Sequence, residues 1–135
     1  MKILLDTNII MDALQERTPF DQHAKEILIR GQRGEVTCLL TANAVSDIFY
    51  LYSRARDSKS AKIALDFILK TYGIVSVDHK DCIEALAFEM DDFEDALALV
   101  CAQKEQVEYI ITRDEKFSKM QTEIKVINPS EFLAL

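Results

Sequence analysis

Lys2-Ile3-Leu4-Leu5-Asp6-Thr7-Asn8 opens the chain, and the reading of this stretch decides the fold. Three apolar residues run straight into a carboxylate, a hydroxyl and an amide. A short apolar run without polar alternation reads as a strand buried on both faces, the kind found in parallel sheets. Asp6 then stands where the strand ends and the chain turns into a helix. In open α/β sheets, ligands bind at the carboxyl ends of the strands. The first acid of the chain is therefore expected on the rim where such a fold does its chemistry.

Outward from this strand, Ile9 to Leu14 reads as a short helix ending before Thr18-Pro19. Asp21 is expected to cap a second helix through Arg30, with Ala24, Ile27 and Leu28 inward and the break at Gly31 to Gly34. Val36 to Leu40 is a second strand. Thr41 opens a helix to Arg56 whose apolar positions Val45, Ile48, Phe49 and Tyr52 follow the spacing i, i+3, i+4, i+7. Asp47 falls at the edge of that stripe, so it can lean over the sheet without being sealed inside. After Asp57-Ser58, Lys59 to Tyr72 is a further helix, with Ile63, Phe67 and Leu69 expected in the core and Gly73 stopping it. Ile74 to Val77 is a third strand, and Asp78 caps the next helix.

Met90-Asp91-Asp92-Phe93-Glu94-Asp95-Ala96-Leu97 then sets four acids in five positions ahead of an apolar helix. Acids in a first helical turn are favoured by the helix dipole. Helical spacing places Asp92, Asp95, Ala96 and Leu99 on one face and turns Asp91 and Glu94 away. Tyr109 to Thr112, leading into Arg113-Asp114, repeats the opening pattern of apolar strand, hydroxyl and acid. Phe117 starts a short packed turn, and Lys125 to Ile127 is a fifth strand. Asn128-Pro129-Ser130-Glu131 has the form of a helix cap, a proline at the first position and an acid at the third. The alternation predicts one α/β domain over residues 1–135, a three-layer α/β/α sandwich around a mainly parallel sheet of about five strands.

Composition bounds the function. Hydrophobic residues make up 49% of the 135 positions, enough for a full core, while 3 Gly and 2 Pro leave little linker. The net charge of −7 argues against non-specific duplex binding by charge alone. It leaves room for a nucleic-acid substrate recruited through a cation. Cys38, Cys82 and Cys101 form no CxxC pair and sit in apolar segments, as buried thiols of a reducing compartment do. His23 and His79 read as ordinary surface or partly buried residues. Asp6 and Asp12 interrupt what superficially looks like a signal peptide, and no segment has the apolar length of a membrane span. A soluble cytoplasmic protein is expected.

Singly, each acid has a structural explanation as a cap, turn former or solvated charge. Jointly, the topology sends Asp6, Asp47, Asp95 and Asp114 towards one rim. Carboxylates drawn together repel and are pushed towards protonation. A divalent cation removes that penalty, and all-oxygen ligands point to Mg²⁺ or Mn²⁺ rather than zinc. Such a site suits phosphodiester hydrolysis.

The segments LLDTNIIMDAL, TANAVSDIFY, DDFEDALALVCA and IITRDEKF together resemble the PIN-domain ribonucleases. The likeness is closest to the small single-domain type that serves as toxin in bacterial type II toxin–antitoxin pairs. It implies metal contact by Asp6, Asp95 and Asp114, the first, third and fourth family acids. Asp47 takes the second position, where many members carry the longer Glu. Asn8 and Thr112 match polar supports, and Asp92 matches either a further ligand or a helix cap. The resemblance implies cleavage of single-stranded or looped RNA, leaving a 5′-phosphate and a 3′-hydroxyl, and an antitoxin partner. Arg54, Arg56, Lys59 and Lys62, around one helix break, and Lys116 and Lys119, after the fourth strand, are candidate RNA contacts.

Two other classes stand beside this one. An aspartyl-nucleophile phosphohydrolase would use Asp6, but commonly needs a second acid where this chain has Asn8. A non-catalytic RNA- or protein-binding module would have no need of mutually repelling carboxylates. For a partner, the helix with Phe49, Tyr50 and Tyr52 and the next with Ile63 and Phe67 could leave an apolar groove for a partner helix or a second subunit. Phe49 and Phe67 are expected to pack inward, with only Tyr50 pointing away from the core.

Overall fold

A computed structural model describes residues 1–135. Strand β1 (Lys2–Leu5) leads into helix α1 (Thr7–Leu14), followed by α2 (Asp21–Gln32), β2 (Thr37–Thr41), α3 (Ala42–Ala55), α4 (Ser58–Thr71) and β3 (Gly73–Val75). The second half runs α5 (His79–Leu86), α6 (Phe93–Glu105), β4 (Tyr109–Ile111), α7 (Glu115–Ser118), β5 (Lys125–Ile127) and α8 (Pro129–Leu133). The five strands form one sheet in the order β3-β2-β1-β4-β5, and every pairing is parallel. The chain winds from β1 towards β3 on one side and resumes beside β1 with β4. The order therefore reverses at β1, and the β1–β4 crevice is the switch point where such sheets bind ligands.

Both faces of the sheet are covered, which is why β1 is apolar without alternation. Ile3 and Leu5 join a core with Ile9, Ile10, Ile27, Leu40, Ile48 and Ile68, under α1 to α4 and α8. Leu4 points to the opposite core, among Leu99, Ile110, Phe117 and Val126 beneath α6 and α7. Asp78 closes a reciprocal capping box with Asp81, and Asn128 one with Glu131, so both predicted caps form.

Two local expectations are corrected. Asp21 is the first helical residue of α2 and Phe20 holds the cap position. The break falls within the expected Gly31 to Gly34: the helix runs to Gln32, and Gly31 is where it passes closest to β2, since a side chain there would meet Cys38 Sγ at 2.8 Å. The turn falls at Gly34, whose φ of +76° suits glycine. Gly73 does not cap α4 but begins β3, where a Cβ would lie 2.5 Å from Leu39.

The largest correction concerns α4. Ala61 and Ile68, seven positions apart, are its buried residues, with Leu65 packed beside them. Ile63, Phe67 and Leu69 are 65%, 47% and 51% exposed, so the predicted core positions face outward. Apolar residues occur on several faces of this helix, and their spacing did not reveal which face meets α3.

Candidate active site

Asp6 occupies the position just before α1 but makes no capping hydrogen bond, so its carboxylate is available to the rim. Its backbone N–H donates to Ile111 O of the neighbouring β4 at 3.0 Å, which fixes it in the β1–β4 crevice. Asp6 Oδ2 accepts from Thr112 Oγ1 at 2.7 Å and from Asn8 Nδ2 at 3.2 Å. Thr112, fully buried, also accepts from Asn8 Nδ2 at 3.3 Å and from the Asp114 N–H at 3.1 Å. The two sequence-predicted polar supports therefore tie the first acid to the fourth.

Asp92 is the cap of α6, its Oδ1 accepting from the Asp95 N–H at 3.1 Å. This orients the first turn from which Asp95 projects. Asp114 caps α7 by accepting from the Lys116 N–H at 3.0 Å. Two small cavities connect these residues. One of about 30 Å³ is lined by Asp6, Glu94, Asp95, Thr41 and Asn43. The other, of about 70 Å³, is lined by Asp92, Asp95, Asp114 and Lys116. Asp95 and the buried Phe117 belong to both, so the acids border one continuous region.

The electrostatics agree with that geometry. Burial, then the charges of Asp92, Asp6, Asp114 and Glu94, pushes the Asp95 carboxyl up to about 7. A helix N-terminus would favour the ionised form, so burial and repulsion prevail here. Asp6 is also raised, chiefly by burial and further by Asp114 and Asp92, against the lowering effect of the Thr112 hydrogen bond.

Glu94, expected to turn away, lines the cavity with Asp6 and Asp95. Its carboxyl is raised by burial and then by Asp47, Asp92 and Asp6. It lies in the first turn of α6, where a long side chain can reach back over the rim, and helical phase counted from backbone position misses that reach. Asp47, on α3, lines neither cavity and its charge is felt at Glu94.

Lys116 is the one predicted basic contact at the rim. Arg54 instead donates from Nη1 to Tyr50 Oη at 2.7 Å, near the end of α3. Arg54 and Arg56, at the end of α3, and Lys59 and Lys62, in the first turns of α4, line neither rim cavity.

Sequence reading also missed the pair beneath the rim. Asp12, 1% exposed, accepts from Arg113 Nε at 2.6 Å and Nη2 at 2.9 Å. Its only sequence signal was a charge interrupting an apolar run, with a partner 101 positions away.

The residues fit a hard divalent cation. The donors are oxygen throughout, and the Oδ1 atoms of Asn8 and Asn43 are buried without a hydrogen-bond partner. The raised acids carry a repulsion that a cation offsets. No three acidic, imidazole or thiol side chains stand close enough to clasp an ion on their own. Mg²⁺ suits such an open arrangement, because it is usually held by one or two carboxylates and retains several waters.

The PIN domain family profile matches residues 2–116, a span that contains every one of these acids. The chain belongs to the PIN domain family. Ribonuclease VapC1 of Aquifex aeolicus (strain VF5) is 22% identical over 136 residues, covering 97% of this chain and 92% of that protein. Among solved structures, Mycobacterium tuberculosis VapC20, a Sarcin-Ricin loop cleaving toxin, has a TM-score of 0.70 at 15% identity over 86% of this PIN domain and 92% of that chain. A toxin–antitoxin complex from Klebsiella pneumoniae gives a TM-score of 0.69 at 21% identity, over 94% and 97% of the two chains. At these identities the structural likeness carries the three-layer PIN fold with its parallel sheet.

Proposed function

We propose that this PIN domain is a Mg²⁺- or Mn²⁺-dependent endoribonuclease, acting in the cytoplasm as the toxin of a toxin–antitoxin pair. The observation that carries this reading is the crowding of Asp6, Glu94, Asp95 and Asp114 at the β1–β4 switch point, with three of the carboxyls raised by burial and neighbouring negative charge. Asp6, Asp95 and Asp114 would hold the cation directly or through water. Asp47 would act on it through Glu94.

A bound divalent cation would polarise the phosphoryl oxygen, make a hydroxide-like nucleophile of water and offset charge on the leaving oxygen. The chain's own part is orientation. Thr112 and Asn8 fix Asp6, Asp92 fixes the turn carrying Asp95, and Lys116 offers a cation to the substrate backbone beside Asp114. The phosphohydrolase alternative loses ground because Asn8 spends its amide on Asp6 and Thr112. The names of the relatives, a ribonuclease and an RNA-loop-cleaving toxin, support RNA as substrate.

An antitoxin partner is supported by the toxin–antitoxin complexes among the structural neighbours and by the surface of α3 and α4. Tyr50, Leu51, Ile63, Phe67 and Leu69 expose apolar side chains there, more than sequence spacing predicted. Ile63 and Phe67, four positions apart on α4, share one face, and an exposed apolar face of this kind suits a protein interface. A second copy of the chain is the competing occupant, which light scattering of the isolated protein distinguishes. No helix is long and apolar enough to cross a membrane.

The test is cleavage of single-stranded RNA with Mg²⁺ or Mn²⁺ and with EDTA. Metal-dependent products bearing 5′-phosphates, lost in Asp6→Asn and Asp95→Asn, are expected. Undiminished cleavage by both variants would reject the mechanism.

A further inference from the structure

A larger cavity, of about 370 Å³, opens beside the acidic rim. Arg113 and Glu115, the residues on either side of Asp114, both line it, together with Phe20, His23, Asn128 and Ser130. The rim cavities, at about 30 and 70 Å³, have room for an ion and its waters but none for a base. The larger one falls within the range of small-molecule pockets, about 300–1,000 Å³.

Its walls carry the groups that recognise an unpaired base. Phe20 is 44% exposed, so part of its ring is open to a ligand. The Arg113 guanidinium lies 4.3 Å from the centroid of its ring. Unpaired bases stack on aromatic rings and on guanidinium planes, and this pair presents both. The stack is anchored from below, since Asp12 holds Arg113 through two hydrogen bonds from a fully buried position. Around it, His23, Ser130 and the Asn128 amide nitrogen offer donors, and Glu115 offers an acceptor, for a base edge. Asn128 is itself held by the α8 capping box, where its Oδ1 accepts from the Glu131 N–H at 2.8 Å.

The charge balance selects a base over a phosphate. Asp12 pairs with Arg113 and, at 3.6 Å, with Arg17, and Glu115 at the wall adds the second negative charge that balances the two guanidinium groups. An anion gains little there, whereas a planar, uncharged, polar ring finds a stacking surface and hydrogen-bonding partners.

We propose that the pocket of Phe20, His23, Arg113, Glu115, Asn128 and Ser130 binds an unpaired nucleobase of the RNA, flanking the phosphate presented to the acidic rim. The assignment of the base to an RNA substrate rests on the ribonuclease reading. The pocket's affinity for a base does not.

Nucleosides separate the two, because they carry no phosphate and need neither the acids nor a cation. Adenosine, guanosine, cytidine and uridine are titrated to millimolar concentration against the whole chain in EDTA. Proton NMR follows the His23 ring, with His79, outside the pocket, as the internal control. At least one nucleoside is expected to shift His23 and leave His79 in place. Phe20→Ala should weaken that binding about tenfold or more, in line with the loss of one base–aromatic stack. In RNA cleavage the same variant should raise KM by a similar factor, move kcat far less, and blur the base preference beside the cut. His23→Ala, at an exposed position that folding does not depend on, should blur it too.

An unmoved His23 with all four nucleosides, and an unchanged cleavage pattern in both variants, overturns the base pocket while the nuclease stands. Nucleoside binding by a protein that cleaves no RNA upholds the pocket and removes the nuclease. Shifts at His23 produced only by a partner protein, and by none of the nucleosides, assign the pocket to a peptide and overturn the proposal.

Discussion

The Thr112 hydroxyl joins residues more than a hundred positions apart, donating to Asp6 and accepting from Asn8 and from the Asp114 N–H. A hydroxyl has one donor and two acceptor sites, and here all three are used. Thr112→Val keeps the shape, leaves Asn8 its bond to Asp6 and strands the Asp114 N–H, at about 1–3 kcal/mol for an unpaired group shielded from water. Groups that orient metal ligands typically matter by about 10–100-fold. Titration calorimetry with Mn²⁺ and the cleavage rate should both fall by that order in Thr112→Val and recover in Thr112→Ser. The acids at strand ends were legible jointly, because the alternation of elements sends them to one rim, and Asn8 and Thr112 only through their match to the polar supports of the PIN family. Glu94 and the Asp12–Arg113 pair were not, since one depends on side-chain reach and the other on a contact between distant segments.

At the scale of the element, strands were easier to read than helix faces. A strand buried on both sides needs only an apolar run, and all five were found. A helix must also declare which face is inward, and α4, apolar on several sides, did not. The α5–α6 pair shows what locks two such helices. Lys104 Nζ donates to Asp81 Oδ2 at 2.6 Å and to Ser76 O at 2.7 Å, so a single ammonium ties α6 to the start of α5. The Lys104 hydrogen bond, foremost, and the capping bond from the Asp78 N–H hold the Asp81 carboxyl below its usual range. A depressed acid stabilises the fold above its unfolded value of 3.8 and loses that contribution as pH falls through the folded one. Lys104, raised above 10.5 by Asp81, loses its share only as pH climbs past that value. Thermal unfolding followed by circular dichroism should show Tm falling on acidification below about pH 4. In Asp81→Asn that acid limb should flatten, with a lower plateau at neutral pH.

For the whole molecule, the same crowding that suits the rim to a cation works against the metal-free fold. The sheet order brings Asp6 and Asp114 to adjoining strand ends, and α6 adds Asp95 between them, in a chain whose net charge is already −7. Fold class and the shared rim followed from the alternation of elements, whereas the strand order needed the pairings themselves. The energetic consequence has a definite sign. Asp95 titrates near 7 in the fold against 3.8 when unperturbed, so the folded chain holds more protons than the unfolded one between those values. Stability of the metal-free protein must then decline as pH rises through that window, opposite in sign to the Asp81 effect and in a separate range. A cation that binds only the folded state raises stability by RT ln(1 + [L]/Kd), about 2.7 kcal/mol at a hundredfold excess over Kd. It competes with the proton on Asp95, so the increment in Tm from Mn²⁺ should be larger at pH 8 than at pH 5. Asp95→Asn removes the repulsion and a ligand together. That variant should melt above the parent in EDTA at pH 8, show a flatter profile between pH 4 and pH 7, and gain little from Mn²⁺. Were Asp95→Asn to melt below the parent in EDTA and still respond fully to Mn²⁺, the acids would be serving the fold rather than a cation.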